Sequence, residues 1–239
     1  MGRAHEVRAA SMAKTAAMKS KLYSRYGKEI YIAAKSGVPD PEMNLTLRSK
    51  IKEAKANQVP ADVIKRAIEK AKGGAAESYD SLRYEGFGPG SATIIIDCLT
   101  DNSNRTVAAM NTCFNKSHCK MGVKGSVSFN YDNLGILSFK YTDEDTVLDT
   151  LVNADVDVND LEVEDGEMTV YVAPNDLHKA QDAIEALIPD CEFSVCAIKM
   201  LPQEYVKLED PHDKELWDRL LSLLDEVDDV QEVYHNVID

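Results

Sequence analysis

The amino-acid sequence predicts an α+β protein of three domains, in which one α+β domain is inserted into another behind a helical N-terminal domain. Three observations predict this fold class. Apolar residues recur at helical spacing through the first 73 residues, whereas β-branched, strand-like runs begin near Leu82. Residues 133–202 then follow the order β-α-β-β-α-β. The predicted domains are 1–77, 78–132 together with 203–239, and 133–202.

The N-terminal domain is expected to contain three or four helices. A first candidate helix begins near Glu6, and further apolar stripes run over 22–34 and 43–54. Pro60 opens the last helix and Gly73-Gly74 close it, because proline suits the start of a helix and glycine its end. The sequence therefore predicts a basic helical domain that folds separately and moves relative to the rest.

The middle domain is predicted from two incomplete pieces. RYEGFGPG and SATIIIDCLT are typical of two strands joined by a glycine-rich turn, and a helix follows them with Asn102, Ser103 or Asn104 as its cap. SVSFNYD alternates as a strand should. After Pro202 come a short strand, an amphipathic helix and the strand DVQEVYHNV. We infer that 82–132 and 203–238 pair into one domain.

The inserted domain shows the clearest topology. GILSFKY predicts a strand, DEDTVLDTLVNA a helix, and Asp165-Gly166 a hairpin turn between the next two strands. A second helix follows Pro174, and CEFSVCAIKML predicts the final strand. This order is that of a ferredoxin-like unit, with four antiparallel strands and two helices on one face.

Charge is distributed unevenly along the chain. The net charge is −14, but residues 1–73 hold sixteen Lys or Arg against seven Asp or Glu, a net +9 that leaves −23 on the remainder. Such asymmetry is typical of a polyanion-binding module carried by acidic domains. The alternative is the ordinary Lys-rich surface of solvated helices.

Two groups of cations are the candidate nucleic-acid-binding residues, because phosphate contacts need positive side chains. The N-terminal group is Arg3, Arg8, Lys14, Lys19, Lys21, Arg25 and Lys28. The second group is Arg105 and the loop lysines Lys116, Lys120 and Lys124. Tyr23, Tyr26 and Tyr31 interleave with the first group, where they either stack on exposed bases or belong to the helical core.

Nothing in the sequence predicts an enzyme, a metal site or a cofactor. There is no Walker loop and no G-x-S-x-G elbow. Cys113, His118 and Cys119 lie close together but lack the second Cys pair that zinc sites typically use. Glu85 and Asp101 are one conceivable carboxylate pair, but the chain is so acidic that such pairs arise by chance.

The compartment is expected to be the cytoplasm. No apolar run approaches the ~18 residues that span a bilayer, and the N-terminus lacks the apolar core of a secretory signal. The five cysteines are therefore expected to be thiols, and no membrane partner is expected.

Several motifs in fixed order resemble the YebC/PmpR family. They are the opening MGRAHE with KSKLYSRYGKEIYIAAKSG, the segment NQVPADVIKRAIEKAKGG, the stretch YEGFGPGSATIIIDCLTDNSNRT, the loop and strand GSVSFNYD, and the ending DDVQEVYHNV. That family includes bacterial proteins described as transcriptional regulators and the mitochondrial translational activator of cytochrome oxidase. The chain departs from the family pattern at Ala4–Val7 and at Ser117–Lys120.

The resemblance implies the same three domains and no catalytic residues. It implies DNA binding in transcriptional regulation for some members, which is the leading functional expectation here. For others it implies a ribosome-associated role that binds rRNA and helps elongation through proline-rich stretches, and this is the alternative. A third hypothesis is an acidic scaffold that meets basic proteins. The sequence carries no clear signal for a homodimer.

Overall fold

The computed structural model describes residues 16–73 and 79–238. The described residues form two compact units, one of 16–73 with 133–199 and the other of 79–132 with 200–238. The helical residues and the inserted module thus belong to one unit, where the sequence predicted separate domains. The exact bounds of the three domains stay a prediction.

The described secondary structure follows the predicted order of elements except over 120–132. The α-helices are α1 Ala16–Lys35, α2 Leu45–Ala56, α3 Ala61–Lys72, α4 Ser103–Lys116, α5 Glu144–Asn153, α6 Leu177–Leu187 and α7 Pro211–Asp225. The strands are β1 Asp80–Phe87, β2 Thr93–Thr100, β3 Lys120–Met121, β4 Tyr131–Lys140, β5 Val158–Glu164, β6 Glu167–Val172, β7 Phe193–Pro202, β8 Val206–Lys207, β9 Val230–His235 and β10 Val237–Ile238.

Helix α1 runs without a break from Ala16 to Lys35, so the end of the first predicted helix and the apolar stripe over 22–34 belong to one helix. Asn44 organises the turn that follows α1, since its side chain accepts from the Leu47 amide at 3.0 Å and donates to the Ala33 carbonyl at 2.8 Å. One amide side chain therefore caps α2 and ties it to the end of α1. The part of the first predicted helix before residue 16 lies outside the described residues.

The inserted module is ferredoxin-like, as predicted. Its sheet has the strand order β5-β6-β4-β7, and β6 runs antiparallel to both β4 and β5. Helices α5 and α6 contribute Leu151 and Ile184 to a core shared with Phe139 and Val170 of the sheet. The α+β class with an N-terminal helical region is thus confirmed.

The sheet of the second unit joins strands from the middle of the chain with a strand near its C-terminus. Its strand order is β3-β1-β2-β9, and β9 from the C-terminus runs antiparallel to β2. The two pieces therefore share one sheet through β1, β2, β3 and β9, as their predicted pairing into one domain requires. Strands β8 and β10 form a separate parallel pair through Val206 and Val237.

The two faces of this sheet are covered differently. On one face Ile94 and Ile96 pack with Phe114 of α4 and Trp217 of α7. Successive strand residues point to opposite faces, so Ile95 belongs to the other face, where it packs with Val127 and Tyr131. An irregular segment therefore covers one face of the sheet and two helices cover the other.

The strand predicted over 126–132 is absent. The structure has a 3-10 turn at Ser128–Asn130, and strand β4 begins only at Tyr131. The alternating apolar pattern is present because Val127 and Tyr131 both pack on the sheet. The segment is nevertheless not a strand, because the amides of Val127 and Ser128 donate to the Glu85 side chain. Donors that bind a carboxylate are not available to a strand ladder.

Replacing Gly86 by Ala tests the packing of α4 on this sheet. A Cβ at Gly86 would lie 2.3 Å from a ring carbon of Phe114 and 3.0 Å from the Lys120 carbonyl oxygen. We expect Gly86→Ala to cost roughly 1 to 3 kcal/mol of unfolding free energy through overpacking. Urea denaturation followed by the fluorescence of Trp217, which is buried in the same core, measures the change.

The matched control is Ser81→Ala on the same strand, where the side chain is exposed. That variant should unfold within about 0.5 kcal/mol of the parent. Equal midpoints for Gly86→Ala and the parent would show that α4 is not packed against β1 as described.

Candidate nucleic-acid interface

Three lysines of the second unit lie in one segment, residues 116–130, which we call the lysine loop. It starts at the last residue of α4, includes β3 and ends with the 3-10 turn. It contains Lys116, Lys120, Lys124 and His118 and no Asp or Glu. All three lysines are exposed. The lysine loop is therefore a positively charged surface within an otherwise acidic part of the chain.

A single buried carboxylate holds the lysine loop on the sheet. Glu85 of β1 is only 2% exposed. One of its oxygens accepts from the Gly125 amide at 2.8 Å, and the other accepts from the amides of Val127 at 2.6 Å and Ser128 at 2.9 Å. Three amide donors on one carboxylate leave little freedom to the backbone between 125 and 128.

The same three amides keep Glu85 ionised. Burial raises the pKa of the Glu85 carboxyl, but the hydrogen bonds from Gly125, Val127 and Ser128 outweigh burial and hold the pKa below its usual range. Backbone donors favour the charged form of a carboxylate because they stabilise its negative oxygens. Glu85 is therefore a buried anion whose partners are dipoles of the lysine loop.

The tip of the lysine loop is a tight turn. The Ser126 amide donates to the Val123 carbonyl at 3.0 Å, and Gly125 has a φ of +85°. A positive φ at the third position of such a turn suits glycine, as in type II turns. The turn presents Lys124 and Val123 to solvent, and the Val123 side chain is 77% exposed.

The base of the lysine loop lies on the same face as Glu85. Phe87 is two residues from Glu85 along β1, so both side chains point to one face. Lys120 of β3 is the register partner of Phe87. A Cβ at Gly122 would lie 3.2 Å from the Phe87 ring, so this aromatic side chain reaches the loop backbone. One face therefore carries Phe87, Lys120 and the turn.

Phe129 continues this surface at the end of the lysine loop. Its side chain is 69% exposed, although the preceding residue is bonded to Glu85. The Asn130 amide donates to the Val127 carbonyl, and the Asn130 carbonyl accepts from Gln203 at 2.9 Å. The backbone on both sides of Phe129 is thus held by hydrogen bonds.

Arg105, the sequence candidate outside the lysine loop, takes part in ion pairs. Its guanidinium donates to both oxygens of the buried Asp229 carboxylate, at 3.0 and 2.9 Å, and to Asp101 at 2.8 Å. Thr106 also donates to Asp229 at 2.9 Å. These bonds hold Arg105 at the start of α4, and its role in binding nucleic acid stays a prediction.

The other arginine of residues 79–132 is also paired. Arg83 binds Asp97 with two hydrogen bonds, at 2.6 and 2.8 Å. By contrast, no ion pair among the described residues joins Lys116, Lys120 or Lys124 to a carboxylate. The lysines of the loop are therefore exposed cations without a carboxylate partner among the described residues.

The N-terminal candidates are only partly described. Arg3, Arg8 and Lys14 lie outside the described residues. Lys19 is exposed on α1, whereas Lys21, Arg25 and Lys28 have intermediate exposure. Arg25 lies 3.7 Å from Glu29 and 5.0 Å from the centre of the Tyr26 ring. Their role in binding stays a prediction.

Part of the basic charge of the helical residues is used inside the first unit. Lys50 binds Glu29 at 3.1 Å and Glu53 at 2.8 Å. Lys52 of α2 reaches Asp182 and Glu185 of α6 at 3.1 and 3.4 Å. Some of the +9 charge of residues 1–73 therefore neutralises carboxylates of the same unit, including those of the inserted module.

The tyrosines of α1 follow the core interpretation. Tyr26 and Tyr31 are buried, and burial raises the pKa of Tyr26 above its usual range. Lys70 lies 5.5 Å from the Tyr31 ring centre. Tyr23 alone of the three is half-buried. Tyr26 and Tyr31 are therefore not available to stack on bases.

No group of three or more His, Cys, Asp or Glu within 16–73 and 79–238 is arranged to hold a metal ion. Burial raises the pKa of the Cys113 and Cys119 thiols, which disfavours the thiolate form that binds metals. Glu85 and Asp101, considered as a carboxylate pair, have different partners. None of the described helices is long and apolar enough to cross a membrane.

Sequence reasoning found the loop lysines but missed Glu85 and Phe129 as parts of this surface. A glutamate within a predicted strand carries no signal that it binds three distant amides. Phe129 was assigned to an alternating strand, where an aromatic side chain is expected to be half-buried. Only the glycines at 122 and 125 indicated that the backbone turns sharply here.

Family models match nearly the whole chain. The model described as the TACO1/YebC protein N-terminal domain covers residues 3–74, and the model of the TACO1/YebC second and third domain covers 79–237. These matches span both described parts of the chain.

Curated relatives and a solved structure agree with the family models. A probable transcriptional regulatory protein of Marinomonas sp. is 51% identical over 236 residues, covering 99% of each chain. One of Alteromonas mediterranea is 46% identical over 238 residues, covering 100% of this chain and 99% of its relative. The crystal structure of a conserved hypothetical protein from Aquifex aeolicus superposes with a TM-score of 0.76 at 30% identity, covering 95% of this chain and 93% of that one.

Glu85→Gln tests the anchoring of the lysine loop. A glutamine keeps one acceptor oxygen but turns an amide group toward a backbone amide that donated to the carboxylate. We expect local stability to fall by roughly 1.5 to 3 kcal/mol, the worth of hydrogen bonds to a charged group. Hydrogen exchange of the Gly125, Val127 and Ser128 amides should quicken about ten- to a hundredfold.

The exposed Glu215 of α7 provides the control, because Glu215→Gln removes the same charge without a loop contact. Unchanged exchange in Glu85→Gln, or equal acceleration in both variants, would contradict the anchoring role of Glu85.

Acid should release the lysine loop. Because the folded pKa of Glu85 lies below its ordinary value, its stabilisation is complete above that value, about 4.3, and is lost as the pH falls through the folded pKa. Protection of the three amides should therefore be constant above about pH 5 and fall only in stronger acid. Hydrogen-exchange protection factors against pH measure this, and the Glu85→Gln variant should lack the dependence. A loss beginning near neutral pH would contradict it.

Proposed function

The chain belongs to the TACO1/YebC family, and we propose that it is a regulatory protein that acts by binding nucleic acid through the lysine loop and the basic start of the chain. The observation that carries the proposal is the exposure of Lys116, Lys120 and Lys124 without carboxylate partners among the described residues. Cations without a carboxylate partner strengthen the binding of a protein to a nucleic acid, because their contacts with phosphates release the counterions condensed there.

The names of the curated relatives favour DNA and the control of transcription. They are called probable transcriptional regulatory proteins, so duplex DNA is the first target to examine. The cations of the lysine loop are lysines, which suit phosphate contacts better than the bidentate recognition of guanine. We therefore expect DNA binding with a steep salt dependence and a small preference for sequence.

Ribosomal RNA is the second candidate. The exposed Phe129 and Val123 beside the lysines favour it, because RNA offers unstacked bases in loops and bulges. The acidic remainder of the chain, with a net charge of −23 over 74–239, is suited to contact basic proteins such as those of a ribosome. Helping elongation through proline-rich stretches would be the corresponding activity.

Removal of the loop lysines tests the proposed interface. We expect the triple variant Lys116→Ala, Lys120→Ala, Lys124→Ala to weaken binding to unrelated sequences alike. Its log–log salt slope should fall by about 2 to 3, since each lost phosphate contact removes about 0.7 to 0.9. Fluorescence anisotropy with labelled duplex DNA and with a labelled rRNA fragment, at several salt concentrations, measures both quantities.

Two further variants make the result specific. The triple variant Lys140→Ala, Lys207→Ala, Lys214→Ala removes the same charge at exposed lysines outside the lysine loop. A quadruple variant with Arg8, Lys14, Lys19 and Lys21 replaced by Glu tests the N-terminal group. If both triple variants lose the same affinity, the effect comes from the net charge of the protein and not from the lysine loop. If the loop variant keeps the affinity of the parent, the proposed interface is wrong.

A further inference from the structure

The most exposed apolar side chains of the second unit both belong to the lysine loop. Val123 and Phe129 are 77% and 69% exposed, whereas Phe87 and Val107, the other exposed large apolar residues there, are both 37% exposed. Exposing an aromatic ring to water forgoes the hydrophobic stabilisation that its burial would give. The exposed side chains therefore contribute less to the stability of the fold than buried ones would. A ligand with flat, apolar faces would bury them and gain the corresponding binding free energy.

Phe129 is also held in place before any ligand arrives. The Ser128 amide is fixed by the Glu85 carboxylate, and the Asn130 carbonyl is fixed by the Gln203 amide. A ring on a fixed backbone loses little conformational freedom when it is contacted, which favours binding. The feature is therefore a preorganised aromatic platform and not a loose side chain.

The surroundings of this platform indicate the chemistry of its partner. Lys120 and Lys124 lie within the same loop, and no Asp or Glu occurs within 116–130. Glu85, the buried carboxylate beneath, is bonded to three amides, and Asp132 just beyond accepts from Gln203 at 2.9 Å. An exposed aromatic ring in the same loop as unpaired cations suits single-stranded nucleic acids, which place bases on rings and phosphates on cations.

A duplex does not satisfy the same surface. Base faces inside a duplex are stacked on one another, so a phenyl ring reaches them only after a base is unpaired or a step is opened. Phe129 has no donor or acceptor for a base edge, and the irregular lysine loop is not a helix that enters the major groove. The aromatic part of the surface would then contribute nothing to the binding of a closed duplex.

We propose that the lysine loop is a binding site for unpaired nucleotides, in which Phe129 stacks on a base while Lys120 and Lys124 contact the flanking phosphates. The proposal rests on the proposed nucleic-acid function and narrows its target to single-stranded segments of RNA or DNA. A basic protein partner is disfavoured by the three lysines of the same loop.

The test compares unpaired and paired ligands in the full-length protein. Labelled twelve-nucleotide rU and dU strands and a blunt-ended twelve-base-pair DNA duplex are titrated into the parent and into Phe129→Ala. We expect Phe129→Ala to weaken binding of both single strands roughly five- to a hundredfold, the usual range for the loss of one base stack. Affinity for the duplex and the salt slope for each ligand should stay unchanged.

Conservative variants separate stacking from hydrophobic contact. Phe129→Trp should keep or raise single-strand affinity, and the fluorescence of the introduced indole should be quenched on binding. Phe129→Leu should bind as weakly as Phe129→Ala, because it lacks a π face. The control Leu148→Ala removes an exposed apolar side chain of α5 and should change nothing.

Each outcome decides the proposal. Equal losses for strand and duplex, or no loss for the strands, would overturn the stacking site while nucleic-acid binding itself still stands. Failure of the parent to bind any of the three ligands would overturn the proposed function instead. Equal affinities for rU and dU would support recognition of base and phosphate alone, and a preference for rU would support an added contact to the ribose.

Discussion

The buried carboxylate of Glu85 determines the form of the charged surface in the second unit. Its oxygens accept hydrogen bonds from three backbone amides of residues 125–128. These amides are therefore not available to the hydrogen-bond ladder that a strand would have formed there. Since a buried anion without partners is costly, the lysine loop and the carboxylate stabilise each other. The turn at Gly125, the exposure of Lys124 and the position of Phe129 all follow from this one interaction.

Strand β1, which carries Glu85, also determines what each face of the sheet contacts. Gly86 points to the helix face, where a Cβ would strike Phe114, while its neighbours Glu85 and Phe87 serve the loop face. Alternation along β1 therefore separates the hydrophobic core from the charged surface by a single residue. The cations of 79–132 differ in a similar way. Both arginines form ion pairs with carboxylates, whereas the three lysines are exposed.

Most of the fold was predictable from the sequence because its signals are local. Asp165-Gly166 marks the hairpin of the inserted module, and the helices of that module carry apolar residues at helical spacing. The C-terminal strand was placed in the middle sheet because two incomplete β-α-β pieces remained. The sequence gives no sign that the helical residues and the inserted module form one compact unit, since contacts such as Lys52 with Asp182 join residues that are far apart in sequence.

The site was only half predictable for the same reason. Lysines in an acidic chain stand out in composition, so Lys116, Lys120 and Lys124 were identified. The ion pair of Arg105 with Asp229 was not predicted, because it spans 124 residues and leaves no local pattern. The role of Glu85 depends on amides forty residues away in sequence, and amides are invisible in a list of side chains.

The measurement that tests the central claim most directly is ultraviolet crosslinking in living cells, followed by mass spectrometry of the crosslinked peptides. If the lysine loop is the interface, nucleotide adducts should lie on the peptides of 116–130, with Phe129 among the modified residues, and should vanish from those peptides in the Lys116, Lys120, Lys124 triple variant. Adducts confined to other segments, with no trace on 116–130, would contradict the account.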